Sequence, residues 1–217
     1  MTTERDIPNA GLHELFAALK YNRDRALLAF WVSTGARAEE LLTSRQADAD
    51  PGQQLTAVIR KGTGEIQNLP ASPDAFVWLR LYQEEARGNG VPRGRSLPLW
   101  WTLRRPWRPF NYHAARAMLN RANELLGANW TLHDLRHTAS YRMARDPELP
   151  LTDVQWVFGH RLITTTQIYL PASEDEVISN VLAHHARQAR RREEPLPPPA
   201  APGYDPAVLD NLFGRPL

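Results

Sequence analysis

The 217-residue chain contains no cysteine. That excludes disulfides and thiolate metal sites. No uninterrupted apolar run approaches the roughly 18 residues that a membrane-spanning helix needs. The first ten residues, MTTERDIPNA, lack the apolar centre of a secretion signal, so a cytoplasmic location is expected. Lysine is nearly missing too. Lysine and arginine together number 26 against 24 acids, a net charge of +2, and Lys20 and Lys61 are the only lysines. So small a net charge does not by itself announce nucleic acid; the basic groups would have to be focused on one face. The arginine excess reads either as a codon preference or as selection of the better fork for phosphate oxygens. Apolar residues make up 42% and charged residues 23% of the chain, which excludes wholesale disorder. The length suits one large domain with a tail, or two small ones.

The hydrophobic pattern is mainly helical. Residues 12, 15, 16 and 19 form an apolar stripe, and the helical pattern resumes over residues 24–32 and ends near Gly35, where a helix stop is expected. Residues 37–42 read as a short helical turn and residues 47–54 as turn chemistry. The alternation in residues 55–60, the break at Gly62 and Gly64, and the return to residue 69 predict a β-hairpin. Ser72-Pro73-Asp74 opens another helix. A Gly-, Pro- and Arg-rich loop spans 88–110, with a short strand expected near 99–101. Further helices are expected at 111–126, 132–145, 152–158, 164–170 and 174–192. Residues 195–203 read as a polyproline-like tether carrying a last apolar segment, 206–213. The fold class is therefore mainly α with one small antiparallel hairpin.

Four segments carry reactive side chains. His133 and His137 share the i,i+4 spacing of a zinc-protease HExxH helix, but Asp134 stands where that motif demands Glu. Its carboxylate is one methylene too short to serve as the general base, which speaks against a metalloprotease. His133 and Arg136, at i,i+3, share a face suited to phosphate. The run GHRLITTTQIYL brings His160 after a helix-ending glycine and Tyr169 nine residues on. Arg37 stands two residues past Gly35, with Glu40 at i+3, and Lys61 sits at the hairpin turn. Taken singly, these are an ordinary surface pair, a solvated turn lysine, a helix-end histidine and a half-buried tyrosine. WWTLRRPWRPF interleaves aromatics with Arg104, Arg105 and Arg108. It reads equally as a base-stacking, phosphate-facing surface and as a buried aromatic cluster covered by solvated arginines.

In this order, the segments resemble the catalytic domain of the tyrosine recombinases, the phage-integrase type, over about residues 12–192. TGARAEEL matches the family's first arginine motif and gives Arg37 and Glu40. A KG turn gives Lys61. HDLRHT gives His133 and Arg136, GH gives His160, and the TTxxY setting gives Tyr169. Motifs that recur together in order are far more specific than any one of them.

The resemblance implies site-specific DNA strand exchange through a 3′-phosphotyrosyl intermediate. Tyr169 would attack the phosphorus. Arg37 and Arg136 would hold the non-bridging oxygens, and His133 and His160 would donate or relay protons. Lys61 would protonate the leaving oxygen, a task arginine cannot perform because it keeps its proton. Glu40 and Asp134 would support these groups, and Arg104, Arg105 and Arg108 would contact DNA. The resemblance implies no cofactor and no metal. The partners it implies are double-stranded DNA, further copies of the chain up to a tetramer and, in some systems, accessory DNA-bending proteins. No membrane is involved. Residues 1–193 would be the catalytic domain and 194–217 a Pro-rich tether whose last segment either docks on a neighbouring copy or folds back on its own domain. The family's N-terminal DNA-gripping domain is expected to be absent, with only residues 1–11 preceding the match. Two other readings share the pattern: a catalytically silent DNA-binding relative that partners a full-length recombinase, and a type IB topoisomerase-like relaxing enzyme. The hairpin departs from the family pattern. Glu65 and Gln67 follow the KG turn, where family members commonly carry a basic residue, and the stretch from Lys61 to Pro70 is about one residue long, a surplus that a β-bulge would absorb.

Overall fold

The apolar stripe of the first helix goes where its period directs it: Leu12, Leu15 and Leu19 are buried. A computed structural model describes residues 6–159 and 174–193. The chain divides into two units, Met1–Arg187 and Gln188–Leu217; the architecture below is that of the first. Helix α1 (Asn9–Ala18) begins three residues earlier than the stripe suggests, on the carbonyl of Pro8, which accepts from the Leu12 amide at 2.9 Å. Helix α2 (Asn22–Thr34) is the central element and buries Ala26, Leu27, Leu28, Phe30 and Trp31. It packs against α4 (Pro73–Gly88) and α6 (Leu132–Ala144), while α1 packs against α5 (Tyr112–Leu126). A short helix α3 (Ala38–Leu42) leads to the sheet, and α7 (Leu151–Phe158) and α8 (Glu174–Glu193) are the remaining described helices.

The sheet is antiparallel, in the order β1 (Ala49–Asp50), β2 (Leu55–Ile59), β3 (Ile66–Pro70). The expected hairpin is therefore present, with an added two-residue strand in the region read as turn. So short a strand carries no alternation to reveal it. The β2–β3 ladder runs unbroken from Leu55 opposite Pro70 to Ile59 opposite Ile66. No bulge absorbs the extra residue. It is taken up in the four-residue turn 61–64, closed by the Arg60 amide donating to the Glu65 carbonyl at 2.8 Å.

The long loop after α4 makes isolated bridges, Arg45 with Pro98 and Trp101 with Pro109, in place of the expected strand. Of its aromatic residues Trp100, Trp101 and Phe110 are buried and Trp107 is half-buried. Trp100 is fully buried, stacks on Tyr82 at 5.8 Å and meets Phe30 edge-on at 6.0 Å. Its ring N–H donates to the Leu41 carbonyl at 2.9 Å, so its burial leaves no donor unsatisfied. Arg104, Arg105 and Arg108 lie exposed on the loop between Trp101 and Pro109. The buried Trp100, Trp101 and Phe110 follow the buried-cluster reading, while exposed arginines fit either reading.

Helix α8 presents Val177, Val181, His184 and His185 as one buried stripe. His184 Nδ1 lies 2.6 Å from Asp146 Oδ2, which also accepts from Arg187 at 2.9 Å. Burial works against the Asp146 carboxylate, but these partners and the Glu148 amide hold its pKa below the usual carboxylate range. Asn68 donates to Glu174 at 3.2 Å, tying the start of α8 to β3. No described helix is long and apolar enough to cross a membrane.

Candidate active site

Helix α2 ends at Gly35, whose φ of +62° is the left-handed conformation that side chains disfavour. The chain then turns so that Arg37 becomes the residue capping α3. Glu40, one turn on, reaches back: its Oε2 accepts from the Arg37 amide at 2.9 Å and its Oε1 from the Arg37 guanidinium at 2.9 Å. The Glu40 side chain is 1% exposed and that of Arg37 39%. The carboxylate is sealed inside while the guanidinium still meets solvent on one side.

The same carboxylate organises the hairpin. Arg60 donates to Glu40 Oε2 at 3.0 Å, and the Lys61 amide donates to Oε1 at 3.1 Å. Burial pushes the Glu40 pKa up, but the Arg37 amide and side chain, the Lys61 amide and the Arg60 charge together hold it below its ordinary value. The Lys61 ammonium itself is exposed and pairs with Glu39 at 2.9 Å.

Arg136 enters from α6. It is buried, donates to the Gly35 carbonyl at 2.5 Å and to the Phe158 carbonyl at 2.7 Å, and lies over the Phe158 ring at 4.7 Å. Its pKa is lowered to about 10, by burial first and then by the Arg37 charge, with Arg60 adding to it and Glu40 opposing it. Arg60 is shifted in the same direction, by burial first and by Arg37 last, with Glu40 opposing. Three guanidinium groups thus feel one another around a single buried carboxylate, leaving an excess of positive charge.

His133 lies one turn before Arg136 on α6 and is exposed, with its Nε2 2.8 Å from Nε2 of His137. Asp134 caps the start of the helix that carries His133 and Arg136. Its Oδ2 accepts from the Thr131 amide and hydroxyl, both at 2.7 Å, completing a capping box. Arg104, Arg105 and Arg108 sit on the loop described above; Arg105 lies 5.7 Å from the Trp107 ring centroid, and the Arg108 amide donates to Thr102 at 3.1 Å. The other two expected catalytic groups, His160 and Tyr169, lie outside the described residues, as do the expected helix 164–170 and the tail 194–217. Among the described residues no group of three or more His, Asp or Glu side chains is placed to hold a metal ion.

The end of α7, which leads through Gly159 to His160, is capped by side chains from two other elements. The Trp156 carbonyl accepts from Gln67 at 2.8 Å, the Val157 carbonyl from Arg60, and the Phe158 carbonyl from Arg136. Helix ends leave such carbonyls orphaned, and here three successive ones have side-chain partners. Arg60 and Gln67 were not among the expected site residues. A signal was present: Thr56 and Val58 point inward, and the period of two makes residue 60 the next inward position. An arginine there has to find buried partners.

Comparison with known proteins places this geometry. The model of the phage integrase family matches residues 6–176. Tyrosine recombinase XerD of Pseudomonas putida is 28% identical over 174 residues, 76% of this chain and 55% of that protein. Tyrosine recombinase XerC of Herpetosiphon aurantiacus is 31% identical over 157 residues, 72% of this chain and 50% of its own. The chain thus spans about half the length of the curated relatives it matches. The fold is shared with the crystal structure of XerA recombinase (TM-score 0.62, 20% identity, 89% of this chain and 66% of that one). It is also shared with the integrase from mycobacterium phage Brujita (TM-score 0.62, 18% identity, 83% and 58%) and with a lambda integrase tetramer bound to a Holliday junction (TM-score 0.55, 18% identity, 76% and 49%).

Proposed function

The chain belongs to the phage integrase family, and from that premise we propose that it is a site-specific DNA recombinase that cleaves and rejoins strands through a 3′-phosphotyrosyl intermediate. The observation that carries this reading is the meeting of the two motif arginines. They are separated by about a hundred residues of chain, yet Arg136 donates to the Gly35 carbonyl at 2.5 Å, two residues before Arg37. Glu40 offsets only part of their charge. A site with such an excess of positive charge lowers its energy by taking an anion, and a phosphodiester in transit to five-coordinate phosphorus builds up the negative charge that two guanidinium groups can stabilise.

The Tyr169 hydroxyl oxygen attacks the phosphorus as its proton passes to an imidazole, that of His133 or His160. The bond from phosphorus to the 5′ oxygen breaks, and that oxygen takes a proton from Lys61. The products are a phosphotyrosine and a free 5′-hydroxyl. A 5′-hydroxyl from a partner strand reverses the sequence. The phosphodiester energy is conserved in the tyrosyl ester, so no nucleotide cofactor is consumed. The partner is duplex DNA. Exchange between two duplexes requires several copies of the chain, a tetramer in full, with accessory DNA-bending proteins in some systems. Arg104, Arg105 and Arg108, exposed on their loop, would meet the DNA backbone.

The test uses duplexes randomised in sequence, each nicked so that the 5′-hydroxyl product diffuses away and the tyrosyl adduct is trapped. The chain is expected to give a denaturant-resistant protein–DNA adduct whose DNA, once sequenced, converges on one site, and Tyr169→Phe is expected to give none. DNA that is retained without any adduct would make the chain a silent binder and overturn the proposal.

A further inference from the structure

Arg60 belongs to no motif that identifies the family, yet it is the most connected side chain around Glu40. It is buried, with 6% of its side chain exposed. Its guanidinium donates in three directions: to Glu40 Oε2 at 3.0 Å, to Gln67 Oε1 at 2.6 Å and to the Val157 carbonyl. These acceptors belong to α3, β3 and the end of α7. Arg60 is also the peptide neighbour of Lys61, whose amide is held by the other oxygen of Glu40 at 3.1 Å. Its aliphatic stem and Nε pack beside Gly159. One side chain therefore ties the hairpin turn to the acid behind Arg37 and to the segment that delivers His160.

We propose that Arg60 is a positioning residue that fixes the Lys61 turn against Glu40 and the end of α7, so that the lysine can reach the leaving oxygen. The inference rests on the strand-transfer reading above. The hairpin tip carries two glycines, Gly62 and Gly64, with positive φ values of 104° and 74° and nothing crowding either; the Gly64 amide donates to the Arg60 carbonyl at 2.9 Å, so the turn follows Arg60. With the Arg60 guanidinium removed, Glu40 keeps Arg37 and the Lys61 amide, but the hairpin loses its side-chain tie to Glu40 and the Val157 carbonyl loses its donor. Lys61 would then be held by a single backbone hydrogen bond instead of a braced turn.

The test compares two leaving atoms. On the duplex recovered by the adduct selection, the scissile 5′ oxygen is replaced with sulfur. Attack by Tyr169 then breaks a phosphorus–sulfur bond, and the thiolate departs without needing a proton. Arg60→Gln is expected to slow adduct formation on the oxygen substrate by about 10-fold to 100-fold, the usual scale for a misplaced catalytic group. On the sulfur substrate it is expected to match the unaltered chain, and its DNA affinity is expected to be unchanged. A general loss of structure would slow both substrates alike. Should Arg60→Gln fail to fold, Arg60→Lys, which keeps the charge beside Glu40 but cannot span three acceptors, carries the same comparison. Undiminished cleavage of the oxygen substrate, or a defect that persists with sulfur, overturns the role of Arg60 while leaving the recombinase reading intact. Absence of any adduct from the unaltered chain overturns both.

Discussion

The Arg136 guanidinium donates to the carbonyl oxygen of Gly35 at 2.5 Å, across 101 residues of sequence. Gly35 lies two residues before Arg37, so the second motif arginine is anchored to the backbone that presents the first. The anchor depends on close packing. A β-carbon at position 35 would stand 2.4 Å from Cζ of Phe158, and the Phe158 ring is the one that lies under Arg136 at 4.7 Å. Glycine is required here twice over, for its conformation and for the space it leaves.

Gly35→Ala is therefore expected to destabilise the fold by about 2–4 kcal/mol, adding the cost of a left-handed alanine to that of overpacking a core ring. Urea unfolding followed by circular dichroism measures it. A loss below about 1 kcal/mol would show that Phe158 moves aside easily and that the tight fit has no energetic weight.

Arg37→Lys keeps the charge but replaces a planar fork with a single point donor. Adduct formation is expected to fall by about 100-fold or more, as when a transition-state oxyanion donor is lost. The salt dependence of DNA binding should change by no more than about one phosphate contact. Retention of near-normal cleavage would mean that Arg37 supplies charge alone, with no fork geometry.

The helices and the hairpin were legible because they follow periods of 3.6 and 2, with stops at Gly35 and Gly159 that the αL conformation then uses. The strand 49–50 was not, since two residues have no period. The order of reactive residues was legible as a pattern, but the way they are held was not. Asp134 stands in the capping box of the helix that carries His133 and Arg136, a partner the spacing did not reveal. Gln67, part of the departure in the hairpin, and Arg60, which no motif singled out, turn out to be its ties to α7. Sequence spacing shows which residues share a face within one element. It does not show which carbonyl at the far end of another helix will need a donor.

The Glu40 carboxyl, depressed in the folded protein, ties acid stability to the site. A depressed carboxyl pKa contributes stability that is fully present above the unfolded value, 4.5, and is lost as the pH falls through the lower folded value. Glu40→Gln is expected to destabilise the protein by about 3 kcal/mol at neutral pH, because Arg37 and Arg60 lose their shared counter-charge. The difference between the two proteins should hold steady down to about pH 5 and narrow steadily below 4.5 as the native acid protonates. Urea unfolding of both proteins across that range measures the effect. A gap that stays constant into strong acid would show that the carboxylate charge contributes nothing beyond its hydrogen-bonding shape.

Lys61 poses the sharpest chemical question, since its ammonium pairs with Glu39 at 2.9 Å with both side chains more than half exposed. Exposed pairs are weakly held, so the lysine is available to turn towards DNA when a phosphate competes for it. Glu39→Gln is accordingly expected to leave both stability and cleavage close to those of the unaltered chain. Lys61→Arg keeps the positive charge and the hairpin but holds its proton too tightly to release it. It is expected to slow adduct formation by about 100-fold, the scale of a lost general acid, with DNA affinity retained. If the arginine variant cleaves as fast as the lysine protein, the cation at the hairpin tip acts only by its charge. The leaving oxygen would then have to take its proton from one of the histidines.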